Sequence, residues 1–219
     1  MAQEEPPPEA SKLTRSKRRW ADAGRFLTGA VSSPQVDRLP PGQHLVRDWP
    51  VLDLGPKPDV ATARWTLSVE GLVAHPVTLD WAAFLALPQV QRTADIHCVT
   101  SWSRYDNEWQ GVSTRDLLDL VEPLAGATAV MLHGYDGYET NLPLADFAAE
   151  EAMIAHGWSG RPLTREHGGP VRLVVPHLYF WKSAKWLRRI QFLAEDEPGF
   201  WEVNGYHMRG DPWAEERYD

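Results

Sequence analysis

In RWTLSVEGL, residues 64–72, apolar and polar side chains change places at every step. That period puts one set of side chains on each side of an extended backbone, and it suits a strand with one face buried. The alternation returns in RTADIHC, residues 92–98, which delivers Cys98 at a strand terminus. ATAVMLHGYDG (127–137) reads as a strand entering a turn, and GGPVRLVVPH (168–177) and WLRRIQFLA (186–194) read as buried strands. Helical spacing is confined to short segments. These are VTLDWAAFLALP (77–88), with Thr78 or Asp80 as cap and Pro88 past its end, STRDLLDLVEP (113–123) and LADFAAEEAM (144–153). There is no rhythm of strands with long crossover helices, and neither GxGxxG nor GxxxxGK[ST] occurs. The expected fold class is therefore α+β, a mixed, strand-rich single domain.

A chain of 219 residues has ample capacity for one buried core. Residues 1–38 contain EEPPPE and the basic cluster Lys12, Arg15, Lys17, Arg18 and Arg19, a composition that buries little surface; a flexible tail is expected. LPPGQ marks the entry to the folded domain, expected to span 39–219. The net charge of -8 argues against broad binding to nucleic acid or anionic membranes. No apolar run reaches the roughly 18 residues of a membrane-spanning helix. The residues after Arg18-Arg19, ADAGRFLTGAVSS, lack the apolar stretch of an export signal, so a cytoplasmic location is expected. Eleven tryptophans imply a core and pocket walls built from large flat side chains.

Cys98 is the only cysteine. A lone cysteine is most often a small buried hydrophobe, and a functional thiolate needs a positive or metal environment. Thr100, Ser101 and Ser103 beside it point to a loop rim rather than a packed interior. Structural zinc calls for several cysteines, and HExxH is absent, which excludes the common zinc sites. A Cys–His hydrolase stays open, since His133, His156, His167 and His177 lie downstream, and their spacing selects none of them as a base. The most informative stretch is EHGGPVRLVVPHLYFWKSAKWLRRI, residues 166–190. Its turn at His167, Gly168 and Gly169, followed by Arg172, Lys182 and Lys185, could hold an anion with backbone amides, a guanidinium fork and an ammonium. The alternative is a solvated basic turn.

HCVTSWS, followed by Trp109 and Gly111, together with EHGGPVRLVVPHLYFWKSAKWLRRI, resembles the molybdopterin-binding domain of the sulfite oxidase superfamily. The nearest patterns are the small bacterial sulfite oxidase-like oxidoreductases and the catalytic subunit of the methionine-sulfoxide reductase. The resemblance spans residues 39–219 and implies the superfamily's molybdopterin-binding fold and a molybdenum-dependent oxidoreductase. It places Cys98 as the protein ligand to molybdenum, a soft thiolate on a metal already bound by the pterin's dithiolene sulfurs. It places His167 and Arg172 against the pterin and its phosphate, and Ser183, Ala184 and Lys185 in the segment that wraps the same group. LVRDWPV resembles the VRNH segment of sulfite oxidases, which makes Arg47, Asp48 and Trp49 candidates for the cofactor pocket, with Arg47 facing an anion and Trp49 standing where the family has His. His133 and Gly134 fall near the cofactor by the same comparison. FWEVNGYHMRGDPW resembles the segment that brings a tyrosine beside the metal, and Tyr206 is its candidate.

The residues after the cysteine, CVTSWSR, follow the reductase-type pattern rather than the Asn/Arg-rich pattern of sulfite oxidases, and Arg104 adds a positive charge near the rim. The resemblance implies oxygen-atom transfer to or from a small substrate of sulfite or sulfoxide type, catalysed with Cys98, Arg47 and Tyr206. It implies a molybdenum-molybdopterin cofactor without nucleotide extension. The sequence contains neither a haem domain nor an immunoglobulin-like dimerisation domain, so a separate electron-transfer partner is expected; no pattern names an oligomeric state. The rival readings are a cofactor-free Cys–His hydrolase and a non-catalytic protein that binds the pterin or a partner on the same scaffold.

Overall fold

The computed structural model describes residues 38–55 and 57–218. The expected tail falls outside them except for Arg38, whose guanidinium is bonded to Asp95 at 2.9 and 2.5 Å. Among these residues eleven strands form two mixed sheets. In chain order they are β1 (His44–Leu45), β2 (Thr66–Gly71), β3 (Val77–Asp80), β4 (Val90–His97), β5 (Trp102–Ser113), β6 (Ala129–Gly134), β7 (Glu139–Pro143), β8 (Met153–Trp158), β9 (Arg161–Pro162), β10 (Arg172–Val174) and β11 (Leu187–Leu193). Among the described residues four short α-helices join them: α1 (Trp81–Ala86), α2 (Thr114–Val121), α3 (Leu144–Phe147) and α4 (Phe200–Val203). The strand-rich α+β expectation is met, and among the described residues no helix is long and apolar enough to cross a membrane.

One sheet runs β3-β2-β11-β6-β7, with β2 and β11 parallel and the other pairs antiparallel. Its alternation is the one read from RWTLSVEGL: Leu67 and Val69 are buried, while Ser68 and Glu70 are half-exposed. Ile190 and Phe192 of β11, with Val130 and Leu132 of β6, add to the buried face. Each such side chain contributes about 1.5–3 kcal/mol when fully buried. Gly71 is needed at its place: its φ is +89°, and a Cβ would stand 2.3 Å from the Phe192 carbonyl oxygen. The other sheet follows β1-β5-β8-β10, with β4 on the far side of β5 and β9 beside β8. Trp65 is buried, stands edge-on to Phe84 and Trp81, and donates its indole N–H to the Leu187 carbonyl at 3.0 Å.

Three expectations are corrected. Residues 77–88 divide into strand β3 and helix α1, because Val77–Asp80 pair with β2 before Asp80 caps the helix by accepting from Ala83 N–H at 2.8 Å. The helix expected over 144–153 is the single turn α3, since Met153 already pairs in β8 with β5 and β10. Of 168–177, only Arg172–Val174 lie in a ladder. Strand β5 begins inside the polar stretch that reads as a rim. Helix α2 forms as its caps imply, with Ser113 Oγ accepting from Arg115 N–H at 3.2 Å and Leu117 and Val121 facing the core.

Candidate functional site

The β4–β5 connection is a tight turn at Cys98–Ser101. Cys98 N–H donates to the Trp102 carbonyl at 2.8 Å, Ser101 N–H to the Cys98 carbonyl at 2.9 Å, and Ser101 lies in the left-handed region at φ 68°. The turn sets Cys98, 7 % exposed, on the wall of a cleft of about 430 Å³. That volume is in the range of small-molecule and cofactor sites. The cleft collects residues from both sheets: Trp49 to Leu54 after β1, Asp136 and Tyr138 from the β6–β7 turn, Glu166 and His167 ahead of β10, Arg172 on β10, then Ser183, Lys185, Trp201 and Tyr206.

Arg172 is 2 % exposed. It donates to the carbonyls of His167 (2.9 Å), Ser183 (2.8 Å) and Leu173 (3.3 Å), and its guanidinium lies 4.2 Å from the Phe180 ring centroid. No described carboxylate pairs with it, and burial pushes its pKa down to about 9. His167 stacks on Trp49 with centroids 3.8 Å apart, donates from Nε2 to the Trp49 carbonyl at 3.2 Å and has Nδ1 3.1 Å from the Thr164 hydroxyl. Burial lowers its pKa, so the neutral ring is favoured. Lys185 Nζ donates to the carbonyls of Leu52 (2.8 Å) and Glu166 (3.1 Å), tying the 49–54 segment to the same wall. Gly168 permits this approach, since at φ +97° a Cβ would meet Lys185 Cβ at 2.8 Å. Aromatic rings line the other side. Tyr206 stacks on Trp201 at 4.7 Å and stands edge-on to Trp181 at 5.1 Å.

Of the residues singled out from the sequence, the cleft unites Trp49, Cys98, His167, Arg172, Ser183, Lys185 and Tyr206. Ala184 is buried just behind it, its carbonyl accepting from Leu173 N–H at 2.9 Å. Arg47 and Asp48 are exposed and do not line it, because Val46 turns inward beside β5 and the next two side chains face solvent. His133 is engaged on the five-stranded sheet with Glu139 (2.7 Å) and Arg189 (3.0 Å), and Gly134 packs against the Lys185 carbonyl. Arg104 also stays off the wall, its guanidinium 4.8 Å from the Trp158 ring centroid and its Nε donating to the Arg47 carbonyl. Lys182, expected beside Lys185 as an anion ligand, is fully buried away from the cleft and pairs with Glu202 at 2.6 Å. Val51, Leu52, Leu54, Asp136, Tyr138 and Trp181 line the cleft without a motif of their own; the apolar PVLDL, the turn residues of YDGY and the aromatic run LYFW are their only signals.

The donor set decides which metal chemistry the cleft could hold. Among the described residues no group of three or more His, Cys, Asp or Glu side chains converges. A metal at Cys98 would have to bring its other ligands with it, and a buried guanidinium without a carboxylate fits an anionic group on that ligand. The family model described as oxidoreductase molybdopterin binding domain matches residues 54–201. The chain belongs to this molybdopterin-binding oxidoreductase family. It is 51% identical over 187 residues to an uncharacterized oxidoreductase, YuiH, of Bacillus subtilis, covering 85% of this chain and 94% of that protein. It is 30% identical over 155 residues to the methionine-sulfoxide reductase catalytic subunit MsrP of Ralstonia nicotianae, covering 64% of this chain and 46% of the relative. The chain thus spans about half the length of that subunit. The sulfane dehydrogenase SoxCD of Paracoccus pantotrophus shares the fold, with a TM-score of 0.59 at 21% identity over 64% of this chain and 41% of that one. Membership makes the chain a molybdenum-dependent oxidoreductase whose cofactor is a molybdopterin. The strand-rich fold is the one its motifs imply. Trp49 and Tyr206 lie outside the matched span, so the cleft of this family member is completed by segments on either side of it.

Proposed function

We propose that this chain holds molybdenum-molybdopterin in the Cys98 cleft, with Cys98 as its protein ligand, and transfers an oxygen atom to or from a small, uncharged, sulfur-containing substrate. The observation that carries the reading is the meeting, in one cleft, of the only cysteine with a buried guanidinium that pairs with no described carboxylate. When bound, the cofactor supplies the two-electron redox change that accompanies oxygen-atom transfer. Arg172, with His167 and Lys185 on the same wall, binds the anionic end of the pterin ligand, and a single fully buried guanidinium suits one phosphate rather than a nucleotide-extended form. Tyr206 presents a hydroxyl for orienting substrate from the aromatic side, and Trp181 and Trp201 keep that side apolar. The basic side chains gather against the 49–54 segment, so the aromatic side offers an uncharged sulfoxide or thioether better surroundings than sulfite. Sulfur also makes favourable contacts with aromatic rings. MsrP, by its name, acts on methionine sulfoxide in proteins, which supports a sulfoxide-type substrate. Electrons pass to or from a carrier separate from this chain.

The hydrolase alternative lacks a base. Both nitrogens of His167, the histidine of the cleft, are engaged with Thr164 and the Trp49 carbonyl, and His97 turns its Nδ1 to Ser103 Oγ at 2.8 Å. The test is elemental analysis with pterin fluorescence on protein expressed with molybdate. Molybdenum and pterin near one per chain are expected. At least a tenfold loss of both in Arg172→Ala should follow, and Cys98→Ser should abolish turnover and change the electron paramagnetic resonance signal of any molybdenum it keeps. A folded wild-type protein with neither, from a host that makes the cofactor, defeats the reading.

A further inference from the structure

Two side chains from far along the chain converge on the turn that carries Cys98. Gln43 Nε2 donates to the Cys98 carbonyl at 3.1 Å, while its Oε1 accepts from Ser103 Oγ at 3.3 Å. Arg217 reaches in from the other end of the fold. It donates to the Val99 carbonyl at 2.6 Å, to Ser101 Oγ at 3.2 Å and to the Pro41 carbonyl at 3.4 Å, with its guanidinium 5.0 Å from the Tyr179 ring centroid. Gln43 and Arg217 both lie outside the span that defines the family. Between them the turn is fixed at Cys98, Val99 and Ser101. The remaining residue, Thr100, lines the cleft and places its hydroxyl 3.2 Å from Cys98 Sγ.

We propose that Thr100 tunes the Cys98 sulfur by donating its hydroxyl hydrogen to it, and that Arg217 is the positioning residue that holds the turn in the shape this contact requires. The proposal rests on the reading of Cys98 as the metal ligand. A metal-bound sulfur is a thiolate and has no proton to give, so only the threonine can be the donor. A hydrogen bond to a ligating sulfur withdraws charge from it and favours the reduced metal, and such partners set both ligand orientation and reduction potential. The left-handed backbone at Ser101 strengthens the case for Arg217. A non-glycine residue at positive φ holds its place only when its surroundings over-determine it, and the Arg217 bond to the Ser101 hydroxyl does this directly.

The experiment is a redox titration of molybdenum-loaded protein followed by electron paramagnetic resonance, with metal content measured on the same samples. Thr100→Val removes the donor and keeps the shape. Its midpoint potential should fall by the equivalent of about a tenfold change in the one-electron equilibrium, about 59 mV. Thr100→Ser should stay close to wild type. Arg217→Ala should shift the potential in the same direction and broaden the signal, with Arg217→Lys recovering part of both. A Thr100→Val protein that holds molybdenum at the wild-type potential overturns the proposal, whether or not the Arg217 variants fold. A molybdenum signal in Cys98→Ser identical to that of the wild type would instead overturn the ligand reading beneath it, so the two failures are told apart by the signal of that variant.

Discussion

Arg172 and Lys182 lie ten residues apart, carry the same charge and are both removed from solvent, yet their surroundings have opposite designs. Lys182 meets Glu202 at 2.6 Å and donates to Asn141 Oδ1 at 2.7 Å, to the Asn141 carbonyl at 3.2 Å and to the Met208 carbonyl. Glu202 in turn accepts from the Trp181 indole at 2.8 Å and the Thr140 hydroxyl at 3.2 Å. Arg172 is given carbonyl oxygens and an aromatic face but no described carboxylate. A buried cation with its own anion completes a scaffold. A buried cation without one has charge left over for a ligand, and it lies on the cleft wall where a ligand can reach it. Burial depresses the pKa of both, but for Lys182 the nearby Glu202 opposes that shift, and for Arg172 no charge does.

The largest effect expected from this contrast is on stability. Lys182→Met strands the Glu202 carboxylate beneath Trp181 and should cost about 3–5 kcal/mol, with the double variant Lys182→Met/Glu202→Leu recovering most of it. Arg172→Met leaves only neutral carbonyls without a donor and should cost less, about 1–3 kcal/mol. Urea denaturation of the four proteins gives the ranking. Equal losses at the two sites would erase the distinction between a scaffold charge and a ligand charge.

An intermediate case sharpens it. Asp146 is mostly buried and takes hydrogen bonds from His177 at 3.0 Å and from Arg209 at 2.9 and 3.0 Å. Burial pushes its carboxyl up, but those two partners outweigh burial and hold it at about 2, against an ordinary 3.8. The folded chain therefore binds this proton at lower pH than the unfolded chain does. The stabilisation is complete above about pH 4 and is lost as pH falls through about 2, for a total of about 2 kcal/mol. The stability gap between wild type and Asp146→Asn should narrow toward zero from pH 6 to pH 2 in urea titrations. A gap independent of pH would mean that Asp146 acts through packing rather than charge.

How much of this was legible before the structure depends on where each residue's partner lies. β2 and β11 were readable because one face is buried and the period survives intact. β5 was not, because Ser103 and Asn107 are polar residues inside the core, Asn107 satisfied by the carbonyls of Ala94 (3.1 Å) and Arg104 (2.9 Å). Polar side chains bonded across strands break the hydrophobic period while leaving the strand stable. β3 was hidden because four residues of edge strand run straight into a helix that their last residue caps. Cys98, His167, Arg172 and Lys185, singled out by their motifs, meet in the cleft. Leu52 has no such motif, since it enters through its carbonyl, which any residue type supplies. Arg47 and Asp48 were misplaced because pairing with β5, invisible in the local sequence, decides which way they point. Lys182 and Lys185 look like one basic cluster in KSAK; Glu202, twenty residues downstream, separates them.

The smallest effect belongs to the pairs left in water. Arg38 reaches Asp95 at 2.5 Å and Asp106 at 2.7 Å, as short as the pair at Lys182, but its side chain is 33% exposed and that of Asp106 is 70% exposed. High dielectric and counter-ions weaken such a pair, and holding a long side chain in place costs entropy, so exposed pairs contribute about 0–1 kcal/mol. Arg38→Ala should therefore destabilise by less than about 1 kcal/mol at low salt and by nothing measurable in 1 M NaCl, in the same urea assay. A larger, salt-insensitive loss would assign the effect to the stacking of Arg38 over Tyr105, 4.3 Å from its ring centroid, and not to charge. The small, salt-sensitive loss would instead show that distance alone does not separate the three kinds of site, and that burial of both partners does.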